Sequence, residues 1–150
     1  MKRILMSFTI AILALILLAC EAINEVQETQ SDGQIAVTVR DVRRGQETLF
    51  GELPEGEMWL IIDLAIQNVG QVRRSIQSLL MFHLEDRYGS YDIDIFADNA
   101  FALDGDLEVG ERKEGSLVFA VDQRSDEFLL IFTPNINQPG QLEFTIKLHD

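Results

Sequence analysis

The chain has one cysteine, Cys20, and two histidines, His83 and His149, in 150 residues. A single thiol cannot close an internal disulfide, so a folded core has to hold the protein together. Two isolated imidazoles do not make a zinc site, which draws its ligands from a Cys and His cluster. His83 falls in a strand-like stretch, opposite the face of Phe82 and Leu84, and His149 is next to last. Basic residues are also scarce. Twelve Lys and Arg stand against 25 Asp and Glu, for a formal net charge of -13. Such a surface repels phosphate backbones and gains nothing from anionic lipid, which excludes nucleic acid as a partner. Solubility and a diffuse pull on cations follow instead. No Gly-Xaa-Ser-Xaa-Gly elbow occurs, and no Ser, His and Asp grouping follows from spacing. Gly110 and Gly115 lack the following helix of a phosphate-cradling loop. Repeats and low-complexity segments are absent. Beyond residue 19 no long stretch has a helical period, and Ser75 to Phe82 has room for one helical turn at most.

One long apolar run does exist. Ile4 to Ala19, interrupted only by Ser7 and Thr9, follows a basic start of Met1-Lys2-Arg3. That is the layout of a secretory signal peptide, and it is shorter than the ~20 apolar residues that span a bilayer comfortably. An uncleaved anchor helix is the alternative. Cys20 stands at the edge where the oil stops. Leu17-Leu18-Ala19-Cys20 resembles the lipobox of bacterial lipoproteins. The resemblance implies cleavage before Cys20, a diacylglycerol on its thiol, and acylation of the new amino terminus. A thiolate is the nucleophile that such a transfer needs. Two acyl chains, at roughly 0.8 kcal/mol per buried methylene, suffice for stable anchoring. The expected location is extracytoplasmic, with the membrane as a partner through the lipid. Loss of Lys2 and Arg3 with the leader takes the charge from -13 to -15. Glu21 does not choose between inner and outer membrane.

Residues 21 to 33, "EAINEVQETQSDG", are polar and acidic and end in a turn signal, so they read as a flexible tether. A short helix from Glu21 to Gln30 is the alternative. From Gln34 onward the period becomes two. Ile35, Val37 and Val39 share one face; so do Leu60, Ile62, Leu64 and Ile66, although Trp59 and Ile61 make that strand oily on both sides. Leu80, Phe82 and Leu84 form the next set, then Tyr91, Ile93 and Ile95. Leu117, Phe119 and Val121 follow, then the oily run from Phe128 to Phe132, and last Leu142, Phe144, Ile146 and Leu148. Turn residues fill the breaks, as at Asp86-Arg87-Tyr88-Gly89 and Pro139-Gly140. About seven short strands with alternating faces predict an all-β, immunoglobulin-like antiparallel sandwich. The expected division is a signal peptide at 1–19, lipidated Cys20 with its tether at 20–33, and the sandwich at 34–150.

Three segments, "WLIIDLAIQNVG", "FHLEDRYGSYD" and "LEVGERKEGSLVFAVD", resemble a widespread family of secreted immunoglobulin-like domains of unknown function. Many of its members sit behind lipoprotein leaders, and the family is similar to a small secreted mycobacterial antigen. Its pattern is a strand ending in Asn, a strand followed by Asp-x-x-Gly, and Gly-x-x-x-x-Gly before Leu-Val-Phe. Val109-Gly110 stands where Pro-Gly is common. The resemblance implies fold and location, and no activity.

The candidate chemistry is sparse. Asp92, Asp94, Asp98, Asp104 and Asp106 fall within 15 residues, and carboxylates suit calcium. Phe96 occupies the place of the third ligand of an Asp-x-Asp-x-Asp loop, so a solvated acidic face is the plainer reading. Phe96 and Phe101 lie on the same loop, expected either to tuck over the sandwich end or to face a partner. Arg43-Arg44 and Arg73-Arg74 read as charges offsetting an acidic surface. The functional expectation is a membrane-anchored, non-catalytic module binding a protein or envelope component, with no cofactor beyond the lipid. The alternative is a Ca²⁺ or small-ligand domain using Asp92 to Asp106. An enzyme ranks third, because no acid, base and nucleophile set is visible.

Overall fold

A computed structural model describes residues 28–45, 53–135 and 137–148. The leader, Cys20, most of the expected tether and His149 lie outside the described residues. In chain order the elements are β1 (Glu28–Ser31), β2 (Ile35–Gly45), β3 (Glu57–Asn68), β4 (Arg74–Ile76), a single helical turn α1 (Ser78–Met81), β5 (Phe82–Glu85), β6 (Ser90–Tyr91), β7 (Gly105–Leu107), β8 (Arg112–Asp122), β9 (Glu127–Phe132) and β10 (Leu142–Lys147).

The alternating residues decide how these strands stack. β1-β2-β3-β8 forms one antiparallel sheet and β10-β9-β5-β6 the other, with β4 and β7 paired as a small ribbon. Ile35, Val37, Leu60, Ile62, Leu64 and Phe119 on the first sheet face Leu84, Phe128, Leu130, Phe132, Phe144 and Ile146 on the second, all at 2% exposure or less. Each such side chain contributes roughly 1.5–3 kcal/mol by leaving water. Placing β2, β3 and β8 against β5, β9 and β10 reproduces the immunoglobulin order, strands A, B and E facing C, F and G. The strand D position, beside β8, keeps one bridge among the described residues, between Ile93 and Phe119. The chain then leaves the sheet plane.

Several expectations are corrected. Glu28 to Ser31, read as tether, is β1 and pairs with Ala36 to Val39. Period-two hydrophobicity does not mark it, because none of its side chains is buried. A ladder and polar links hold it: Thr29 and Thr38 share a hydroxyl hydrogen bond of 2.9 Å, and the Gln30 carboxamide bonds both ways with the Glu143 main chain. Leu80, expected inward, is 60% exposed on α1. The expected Tyr91 to Ile95 strand stops at Tyr91, and Ile95 is 47% exposed. In β2 a bulge between Val39 and Asp41 moves the inward set from odd to even positions, so Val42 packs on the core.

Candidate functional site

β3 carries apolar side chains on both faces, so its outer face needs a cover. The loop between β6 and β7 supplies it. Ala97 and Ala100 pack on Trp59 and Val118, with Leu53, Ile61 and Ala120 alongside. Leu103 reaches the main core. Gly115 on β8 makes room for it, since a Cβ there would stand 3.0 Å from Leu103 Cγ and 3.2 Å from Ala102 Cβ. The loop therefore wraps the edge strand β8, its alanines on the outer face of β3 and β8 and Leu103 in the core between the sheets.

Consecutive turns shape this loop. The Asp94 N–H donates to Val118 O at 2.8 Å, and the Asp94 carboxylate accepts the Phe96 N–H at 2.8 Å. Ala100 N–H reaches Ala97 O at 3.1 Å, Ala102 N–H reaches Asn99 O at 2.9 Å, and Asp104 N–H reaches Phe101 O at 3.0 Å. Asn99 takes a left-handed φ of 58°, a conformation Asn tolerates better than most residues. The Asp104 carboxylate accepts the Ser78 N–H, and its carbonyl accepts the Lys113 ammonium, both at 2.8 Å. The small side chains face down. The aromatic ones face out, Phe96 at 81% exposure and Phe101 at 50%.

The five aspartates are not brought together. Asp94 closes its own turn, Asp104 binds the start of α1, and Asp106 pairs with Arg73 at 3.2 Å. No group of three or more His, Cys, Asp or Glu side chains among the described residues is placed to hold a metal ion. The placement of these side chains lends the calcium reading no support. Arg43 is committed to Asp41 and Asp63, and Arg74 donates to Gln34 at 2.8 Å. His83 faces Glu85 at 3.3 Å on an exposed strand face.

A polar cluster that sequence reasoning passed over ties the β5–β6 turn to the β8–β9 turn. The Asp86 carboxylate accepts the Tyr88 and Gly89 N–H groups at 2.6 and 2.9 Å and the Tyr91 hydroxyl at 2.9 Å. Partial burial pushes Asp86 up, but bonds from Ser125, Tyr88, Tyr91 and Gly89 outweigh it and hold the carboxyl below its ordinary range. Burial and the bond to Asp86 push the Tyr91 phenol up to about 12. The Arg124 side chain clamps Asp122 and lowers it to about 2. The Arg87 and Arg124 guanidiniums lie 4.9 and 4.5 Å from the Tyr88 ring centre. A cleft of about 570 Å³ opens beside Glu55, Glu57, Tyr88 and Asp122. Asp86 is spent on Tyr91 and Asp122 on Arg124, which makes the cluster a clasp between turns. The Asp-x-x-Gly at 86–89 is the sequence trace of that clasp.

At the other end, buried Asn68 donates to Val72 O at 2.8 Å and Leu107 O at 2.9 Å and accepts the Gly70 N–H at 3.1 Å. Asn68, the Asp86–Gly89 turn and Gly115 thus each carry one segment of the pattern.

The family model for the domain of unknown function DUF4352 matches residues 24–142, and the chain belongs to that family. No curated protein matches it in sequence. Among solved structures, the putative lipoprotein ycdA of Bacillus subtilis superposes with a TM-score of 0.69 at 20% identity, over 82% of this chain and 39% of that one. The chain thus spans well under half of ycdA. The yjhA protein of Bacillus subtilis gives 0.62 at 22% identity, over 81% and 97% of the two chains. An uncharacterized beta-sandwich protein of Clostridium difficile gives 0.50 at 16%, over 81% and 91%. These likenesses establish the fold, an antiparallel β-sandwich. Neither family nor neighbours indicate a catalytic activity.

Proposed function

We propose that the chain is a lipid-anchored, extracytoplasmic binding module without catalytic activity. The anchor rests on Leu17-Leu18-Ala19-Cys20 and the apolar run before it. The likeness to ycdA, itself described as a putative lipoprotein, agrees with that setting. The binding role rests on one observation: the loop over β3 and β8 buries its alanines and Leu103 while holding Phe96 and Phe101 in water. A loop that needed only to cover the sheet has no use for two outward aromatics, whereas a binding surface does. Fatty-acid label should enter the wild-type chain in cells and be lost in Cys20→Ser, with the variant still exported. Label retained by that variant contradicts the anchor.

A further inference from the structure

We infer that the loop of residues 94–103 docks a protein partner whose surface offers an apolar pocket rimmed by Lys and Arg. This rests on the binding-module reading and gives its partner a chemistry. The apolar anchor is Phe96, with Phe101 and the 47% exposed Ile95 beside it in the same loop. Turns, the Ala97 and Ala100 packing and the Leu103 plug hold the loop in one shape, so little ordering is left for the moment of binding. Charge selects the partner. Asp92, Asp94 and Asp98 flank the aromatics, and no Lys or Arg among the described residues pairs with them. Asp104 and Asp106, by contrast, are satisfied within the fold. An unneutralised acidic rim around an aromatic anchor steers a basic surface and rejects an acidic one. A second copy of this chain carries the same rim and a net charge of -13, so it is disfavoured. An anionic bilayer is disfavoured for the same reason.

The test places a benzoylphenylalanine photocrosslinker at position 96 of the full chain, in the cells that make it, and separately at the exposed Val72 near the Asn68 end. The crosslinked peptide is sequenced and mapped. The expected product at position 96 is one adduct on a site with apolar residues bordered by Lys or Arg. Its yield should fall at least about tenfold on combining Asp92→Asn, Asp94→Asn and Asp98→Asn, as lost charge complementarity requires. The carboxamide introduced by Asp94→Asn keeps an oxygen to accept the Phe96 N–H, so the turn survives, and a melting curve for each variant checks the fold. An adduct on a second copy, on lipid, or on a site without basic residues overturns the inference, as does a yield unmoved by the three Asn changes. An adduct at position 72 with none at 96 removes this inference and the loop as the binding surface, and leaves a binding module that acts through its Asn68 end. No adduct at either position removes both.

Discussion

Single residues decide whether the loops of this sandwich keep their shape. Asn68 is 1% exposed and satisfies two main-chain carbonyls, a buried one at Leu107 and a part-buried one at Val72. Asn68→Ala should cost about 1–3 kcal/mol, the usual penalty for orphaned buried groups, read from urea unfolding. Phe119, fully buried where the sheets meet, sets the upper end: Phe119→Ala should cost about 3–5 kcal/mol in the same assay. Gly115→Val is a steric test, because its Cβ has 3.0 Å to Leu103 Cγ. Overpacking there should cost about 1–3 kcal/mol and push Leu103 out of the core, seen as new side-chain contacts by NMR. A core residue such as Phe119 is legible in the sequence through the period-two set it forms with Leu117 and Val121. Asn68 appears there only as a polar end to an oily strand. Its role is set by the local turn to Val72 and by Leu107, which approaches from a distant part of the chain.

At the scale of elements, the Asp86–Tyr91 turn and the Asp122–Glu127 turn stand or fall as one clasp. The fold favours the neutral Tyr91 phenol, whose value rises from 10.0 to about 12. Its contribution is therefore whole below pH 10 and disappears as pH climbs toward 12. Melting temperature should drop across that window in the wild type and drop less in Tyr91→Phe. Asp86 works with the opposite sign. Its depressed value means a contribution present above the unfolded value of 3.8 and lost as pH falls through the lower folded value. Asp86→Asn should flatten the acid limb of the melting profile; an acid limb as steep as the wild type's would show that this carboxylate does not support the clasp. Strands with a buried face, such as β9 and β10, could be read directly from Phe128 to Phe132 and Leu142 to Ile146. β1 could not, since Glu28-Thr29-Gln30-Ser31 buries nothing and is held by its neighbours' main chain. The Tyr91, Ile93, Ile95 alternation misled because Asp94 turns the chain after a single bridge to β8.

For the whole molecule, the immunoglobulin order leaves one vacancy, the D position, and the chain fills it with a loop in place of a strand. That substitution turns an edge beside β8 into a built surface, with small side chains beneath and two phenylalanines above. The sandwich class, the aromatic loop and the scattered acidic character were all visible in the sequence. Where the loop sits was not, because the cover it provides for Trp59 and Val118 is a contact between distant segments. Both the binding role and its partner chemistry require that this surface exist before any partner arrives. Amide hydrogen exchange of the free domain tests this most directly. The amides of Asp94, Ala100, Ala102 and Asp104, each bonded at 2.8–3.1 Å, should exchange at least about a hundredfold slower than in an unstructured peptide. Exchange at free-peptide rates through residues 94–104 would contradict the account.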